Sequence, residues 1–159
     1  MPSVSSWRGV VMHVHLAASA GAPMQPRDAL ELVAGRGVVG DRYAAGIGFY
    51  SDRPEEGRQV TLFEHEALDA LKRDHGIDFA PHEHRRNVTT SGVPLTHLVY
   101  KRFRIGAALV EATRLSVPCQ RLVELTGKKV FKPLINRSGL NCRILQGGTI
   151  RPGDTVEPA

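Results

Sequence analysis

The sequence predicts a β-rich α+β domain with a barrel-like core and two or three short helices. Three observations lead to this prediction. Apolar and polar residues alternate over several short stretches, as they do in half-buried strands. The 16 glycines and 10 prolines are spread along the chain, which favours many turns over a helical bundle. The 159 residues contain no internal repeat and no linker, so a single domain over 1–159 is expected.

The N-terminal half supplies three predicted strands and one helix. The strands are expected at 8–17, 29–34 and 58–62. A helix is predicted over 63–75, because apolar residues recur at helical spacing and Gly76 follows as a stop signal. The polar segment 43–58 is too long for an ordinary connection, which indicates either a functional flap or local disorder.

The C-terminal half begins with a short buried turn at 95–100 and a strand that starts at 103 and leads on to 117. A short helix is expected from Gln120, with Gly127 ending it. The stretch 128–132 is predicted to continue as a second helical or extended piece. The tail is predicted to form two short strands on either side of a turn at 147–148.

Cys119 lies where the predicted strand gives way to the helix. Pro118 suits a first helical turn, so the sulfur of Cys119 is expected to face unsatisfied N–H groups and the positive end of the helix dipole. Arg114 and Arg121 are close in sequence, and such surroundings favour a thiolate, which is a nucleophile or a soft-metal ligand. The alternative is a small buried hydrophobic residue. Local sequence alone leaves both interpretations open.

Two further segments carry candidate binding residues. The glycine-rich turn 35–43 ends in Asp41 and Arg42, and it matches neither a Walker nor a Rossmann motif; the alternative is a glycine turn with a surface ion pair. The segment 81–92 concentrates positive charge, an amide and hydroxyls, which an oxyanion or heterocycle site needs. Its candidates are Arg85, Arg86, Asn87, Thr89, Thr90 and Ser91. The alternative is a solvated basic loop.

Two His-x-His pairs, at 13–15 and 82–84, have a spacing that permits metal binding. No third ligand is evident near either pair. We therefore interpret them as surface or packing histidines, with metal binding the less favoured alternative.

Composition limits the function classes. The net charge of +5 and the pI of about 9.6 favour an anionic ligand. Arginines are scattered rather than clustered in runs, which favours discrete phosphate groups over nucleic acid. Only two cysteines occur, Cys119 and Cys142, so a reducing cytoplasm is the expected location and export is the unsupported alternative. No stretch is long and apolar enough to predict a membrane span.

In combination, six segments resemble the molybdenum cofactor sulfurase C-terminal (MOSC) domain in its small stand-alone bacterial form. These segments are 37–43, 58–62, 85–88, 117–120, 137–148 and 151–156. They occur in the expected order over nearly the whole chain. The sequence departs from the family in carrying arginine at 85, where many relatives have other residues.

The resemblance implies a barrel that binds the phosphorylated pterin of molybdenum cofactor, with Cys119 as the metal ligand or as a persulfide carrier. It places Arg86 and Asn87 near the pterin or its phosphate, and the full set of candidate cofactor-binding residues is Arg42, Arg86, Asn87, Thr90, Ser91 and Arg137. The implied activity is reduction of N-hydroxylated compounds such as hydroxylaminopurines and amidoximes, independent of pyridoxal phosphate. Electrons would come from a separate flavin or haem protein, and a homodimer is compatible with the family. The alternative is a sulfur or cofactor carrier without reductase activity.

Overall fold

The computed structural model describes residues 7–45, 58–118 and 120–159, and within them the chain forms eleven strands and two α-helices. In chain order they are β1 (Gly9–Leu16), β2 (Gln25–Pro26), β3 (Leu30–Val33), β4 (Gly37–Val38), β5 (Val60–Glu64), α1 (His65–His75), β6 (Val88–Ser91), β7 (Arg102–Ile105), β8 (Ala108–Leu115), α2 (Gln120–Thr126), β9 (Leu140–Gln146), β10 (Gly148–Ile150) and β11 (Thr155–Pro158). A 3-10 turn lies at Leu95–His97.

Seven strands close into a barrel in the order β11-β7-β8-β9-β5-β6-β1, because β1 also pairs with β11. Closure leaves no exposed sheet edge among these strands. Six of the seven strand pairs are antiparallel, and β5 runs parallel to β6. A parallel pair needs a crossover, which α1 provides. The predicted β-rich barrel with short helices is therefore confirmed.

Two apolar cores lie on either side of the barrel wall. The barrel interior is filled by branched aliphatic side chains together with Phe103 and Cys142. A smaller cluster packs the two helices against the outer face of the barrel around Phe63, with Leu71, Leu122 and Leu134 among its members. Each helix therefore buries one apolar stripe, as amphipathic helices on a sheet must.

Helix α1 begins and ends close to the predicted residues. Gly76 adopts φ +66°, and the next residue, Ile77, donates its backbone N–H to the carbonyl of Leu71 at 3.1 Å. This arrangement satisfies carbonyl groups at the end of the helix with a residue that tolerates the left-handed conformation. The sequence signal at Gly76 is therefore confirmed.

Three details of the predicted elements were wrong. The strand predicted from 103 onward is a β7–β8 hairpin that turns at Gly106, where φ is +54°. The stretch 128–132 is neither helix nor strand. The tail holds three strands rather than two, and β10 pairs with β3 in a separate three-stranded sheet, β10-β3-β4.

Most of the polar loop predicted at 43–58 lies outside the described residues, which resume at Arg58. No helix in the described ranges is long and apolar enough to cross a membrane.

Candidate functional site

The structure contains the strand and the helix that were predicted on either side of Cys119. Strand β8 ends at Leu115 and helix α2 begins at Gln120. Ser116 is buried and anchors the start of the connection, since its backbone N–H donates to Gly139 and its hydroxyl to the Asn141 side chain. Cys119 itself lies outside the described residues, so its role as a thiolate ligand stays a prediction.

A cleft of about 270 Å³ opens beside α2. Three segments that are far apart in sequence line it: the 21–24 loop, the 82–85 turn and the C-terminal end of α2. The lining residues are Gly21, Pro23, Met24, His82, Glu83, Arg85, Leu125 and Thr126. We call this site the basic cleft, because Arg85 lines it and two further arginines, Arg42 and Arg121, lie near Arg85.

Arg42 is held rigidly next to the basic cleft. The residue is 5% exposed, and its guanidinium forms an ion pair with Asp41 at 3.1 Å. It also contacts the sulfur of Met24 at 3.5 Å and donates to the carbonyl oxygen of Arg85 at 3.4 Å. Asp41 in turn accepts the backbone N–H of Ala17 at 3.1 Å. The sequence-based alternative of a surface ion pair at 41–42 is therefore wrong, because both partners are buried.

Arg85 lines the basic cleft in an unusual backbone conformation. Its φ is +63°, in the left-handed region that costs an L-residue other than glycine roughly 1–2 kcal/mol. Its guanidinium donates to the carbonyl oxygen of Ala22 at 2.7 Å, which ties the 82–85 turn to the 21–24 loop. Burial, followed by the nearby charges of Arg42 and Arg121, lowers the pKa of Arg85 to about 10.

Arg121 joins this group from the first turn of α2. Its guanidinium reaches the 21–24 loop, where a Cβ built on Gly21 would lie 3.0 Å from its Nη2 atom. Gly21 also has φ +77°, so glycine suits the position both for its backbone and for the space it leaves. Three guanidinium groups, from Arg42, Arg85 and Arg121, therefore converge around one side of the cleft, and we call them the arginine cluster.

Arg86 and Asn87 connect strands of the barrel. Arg86 donates from Nε to the carbonyl oxygen of Ser138 at 3.1 Å. The buried Asn87 amide accepts from the backbone N–H of Thr61 at 3.1 Å and donates to the carbonyl oxygen of His15 at 3.2 Å. These bonds join β5 and β6 to the end of β1, a bracing role that the sequence did not indicate. Contact of Arg86 and Asn87 with a pterin stays a prediction.

The remaining predicted binding residues lie away from the cleft lining. Thr90 and Ser91 are on β6, opposite Val11 and Val10 of β1. The hydroxyl of Thr90 is buried and has no hydrogen-bond partner among the described residues. Arg137 is exposed and lines a separate narrow pocket with Glu64, where burial raises the pKa of the Glu64 carboxyl. The structure therefore brings Arg42 to the basic cleft but does not bring Thr90, Ser91 or Arg137 into its lining.

The histidines of the two His-x-His pairs approach one another outside the barrel. The ring of His15 lies 6.3 Å from that of His13 and 6.4 Å from that of His84. His84 stacks on Phe63 with ring centroids 4.3 Å apart. Because His84 accepts the Arg86 N–H at Nδ1, its Nε2 carries the hydrogen donated to Thr89.

Burial lowers the pKa of His84 well below its ordinary value and that of His15 to about 4. Both imidazoles are therefore neutral near pH 7. Among the described residues, no group of three His, Cys, Asp or Glu side chains is placed to hold a metal ion.

Cys142 is fully buried in β9, inside the barrel. Burial raises the pKa of its thiol far above the ordinary range, so it remains a protonated apolar side chain. Cys142 is thus unsuited to be a nucleophile or a metal ligand.

These features define a small closed β-barrel with an arginine-rich cleft beside a strand-to-helix junction. The MOSC domain family model matches residues 37–157, and the chain therefore belongs to the MOSC family. This family is associated with molybdenum cofactor binding. A comparison with curated proteins gave no match.

Solved structures show the same fold. The YUAD protein from Bacillus subtilis superposes with a TM-score of 0.79 at 18% identity, covering 95% of this chain and 97% of that chain. YiiM from Geobacillus stearothermophilus gives a TM-score of 0.71 at 16% identity, covering 95% and 75% of the two chains. YiiM from Escherichia coli gives 0.65 at 18% identity, covering 93% and 70%. At these identities the likeness establishes the fold of the chain.

Proposed function

We propose that this chain binds molybdenum cofactor and reduces N-hydroxylated compounds, with Cys119 as the protein ligand to molybdenum. One observation carries the proposal. Helix α2, which begins directly after Cys119, supplies Leu125 and Thr126 to the lining of the basic cleft. The segment that contains the family cysteine is thus joined to a cleft that Arg85 lines, in a chain that belongs to the MOSC family.

The chemistry of the cleft suits an anionic pterin. A phosphorylated pterin needs arginine and backbone donors for its phosphate, and the arginine cluster provides guanidinium groups on one side. Pro23, Met24 and Leu125 provide apolar contact for a planar ring system. Arg42 would support the anionic end from behind the cleft lining, through its bond to the Arg85 carbonyl. We assign Arg86, Asn87, Thr90, Ser91 and Arg137 to the wider cofactor environment.

When bound, the molybdenum cofactor supplies the redox chemistry that removes oxygen from an N-hydroxyl group. The residues of this chain bind and orient the cofactor and the substrate. Cys119 contributes a thiolate, and the rigid Asp41–Arg42 pair fixes the position of a cation without the need for rearrangement on binding. The neutral imidazoles of His15 and His84 are poor proton donors near pH 7, so protons would come from solvent or from other groups. Electrons would come from a separate flavin or haem protein.

The test is turnover by protein from cells that make molybdenum cofactor, with an amidoxime or hydroxylaminopurine as substrate and a chemical reductant. Cys119→Ser is expected to lose at least about a hundredfold in turnover, since a direct metal ligand is removed. Cys142→Ser is the matched control, and it is expected to affect stability rather than turnover per folded protein, because Cys142 lies in the barrel core.

The same protein samples also distinguish the proposed reductase from the sulfur-carrier alternative. Wild-type protein that turns over no N-hydroxylated substrate but carries a persulfide on Cys119, seen by mass spectrometry, would favour the sulfur-carrier alternative. Equal turnover in wild type and Cys119→Ser would contradict the proposed role of Cys119. Binding of oligonucleotide at moderate salt, with a steep salt dependence, would instead indicate a nucleic-acid protein.

A further inference from the structure

Three large apolar side chains are exposed on the segments that flank Cys119 and cover α2. Val117, Phe131 and Ile135 are 63%, 43% and 52% exposed. Single exposed apolar residues are ordinary on a soluble domain, whereas a group of them with a polar rim marks an interaction surface. We call these three residues the apolar patch.

Phe131 and Ile135 belong to one turn of the chain that lies on α2. The turn is closed by the backbone N–H of Leu134, which donates to the carbonyl oxygen of Val130 at 3.0 Å. Residues four apart in such a turn are neighbours on its surface. Val130 and Leu134 pack inward with Leu122 of α2, so Phe131 and Ile135 are left on the solvent side.

Val117 reaches the same surface from strand β8. The residue before it, Ser116, donates its backbone N–H to the carbonyl oxygen of Gly139 at 2.8 Å. Leu115 and Asn136 line the same narrow pocket. These contacts place the end of β8 beside the 131–139 segment, so Val117 extends the apolar surface that Phe131 and Ile135 form.

The rim of the apolar patch is basic. Residues 114–137 include six lysines and arginines but one acidic residue, Glu124. Lys129 and Lys132 are exposed, and neither forms an ion pair with any residue that the structure describes. A second copy of this chain would bring the same positive charge to the interface and be repelled. The charge therefore favours an acidic partner protein over a homodimer.

We propose that the apolar patch, with Lys129 and Lys132, is the docking surface for an acidic flavin protein that donates electrons. This inference rests on the proposed function, in which removing oxygen from an N-hydroxyl group consumes two electrons and two protons and releases water. A reduced flavin carries both electrons and is oxidised as it delivers them, whereas a haem carries one. Small interfaces guided by charge are typical of transient electron-transfer complexes.

Calorimetric titration with flavodoxin, an acidic flavin protein, tests the docking surface without turnover. The protein is purified from cells that make molybdenum cofactor and kept at about 0.1 M salt, where exposed charges more than about 10 Å apart are screened. We expect Lys132→Glu to weaken binding about tenfold through repulsion, and Phe131→Ser to do so through lost apolar contact. Arg104→Glu is the matched control and is expected to bind like wild type. It reverses an exposed charge level with Leu109, at the other end of β8 from the patch.

Turnover with two electron sources separates the docking surface from the proposed function. With reduced flavodoxin as donor, Lys132→Glu is expected to lose about tenfold in kcat/KM for flavodoxin, whereas with a small chemical reductant it should match wild type. Equal flavodoxin binding by wild type, Lys132→Glu and Phe131→Ser, or none by wild type, would overturn the docking surface. Self-association of wild type that Phe131→Ser abolishes would also overturn it. Flavodoxin binding that Lys132→Glu weakens, in protein that turns over with neither donor, would leave the docking surface standing while the reductase function fails.

Discussion

Asp41 and Arg42 form the buried polar centre on which the basic cleft rests. Asp41 is 1% exposed and accepts backbone N–H groups of Ala17 and Tyr43 in addition to its ion pair. Arg42 links Asp41 to Met24 and to the Arg85 carbonyl. A buried pair of this kind contributes little net stability, but loss of one partner leaves an uncompensated charge. Its main effect is to fix the relative positions of the 21–24 loop and the 82–85 turn.

Asp41→Asn is therefore expected to lower the free energy of unfolding by about 3 kcal/mol, because the buried Arg42 cation loses its carboxylate. Urea denaturation of wild type and variant measures this difference. Asp28→Asn, at an exposed position, is the control and is expected to change stability by less than about 0.5 kcal/mol. Equal effects of the two substitutions would show that the 41–42 pair does not organise this region.

At the scale of elements, sequence periodicity located most strands and both helices but not how the strands pair. Alternation identified β1 and β8, and the change of period at Gln120 identified α2. Local pattern carries no information on partners, so the parallel β5–β6 pair was not foreseen. For the same reason the hairpin at Gly106 was taken for a continuous strand, although its glycine was visible in the sequence.

The structural role of Gly147 differs from the role that the sequence predicted. Gly147 was predicted to be part of a turn between two short strands, and the structure places those strands, β9 and β10, in different sheets. The chain leaves the barrel at this point and passes directly over β3, where a Cβ on Gly147 would lie 2.3 Å from the carbonyl oxygen of Leu32. Glycine is needed there for close approach of two backbones rather than for a turn.

We expect Gly147→Ala to destabilise the protein by about 2 kcal/mol or more, because the added methyl group forces the β9–β10 junction away from β3. Gly35→Ala is the comparison, since it meets no atom within 4 Å and costs only the strain of its left-handed φ, about 1 kcal/mol. Thermal and denaturant unfolding give the two values. A Gly147→Ala protein as stable as Gly35→Ala would contradict the close approach.

At the scale of the whole molecule, the candidate site is assembled from parts that the sequence separates. Arg42, Arg85 and Arg121 are distant along the chain and meet only because the 21–24 loop, the 82–85 turn and helix α2 come together at the basic cleft. Resemblance to the MOSC family identified Cys119 and Arg42 as candidates, and it marked Arg85 as a departure. The cleft itself could not be predicted, since its three walls depend on tertiary packing.

The whole-molecule account also explains why the two cysteines are not equivalent. Cys142 is sealed inside the barrel with its thiol protonated, whereas Cys119 precedes a helix whose far end lines the basic cleft. The cofactor assignment therefore depends on Cys119 and on the cations of the cleft, not on the barrel core.

The proposal that this chain binds molybdenum cofactor is tested most directly by measuring the molybdenum and pterin content of protein purified from cells that make the cofactor. We predict close to one molybdenum and one pterin per chain in the wild type. In Cys119→Ser, the metal should be lost or its absorption spectrum altered, with the fold intact by circular dichroism. Wild-type protein that contains neither molybdenum nor pterin after growth in such cells would contradict the central claim.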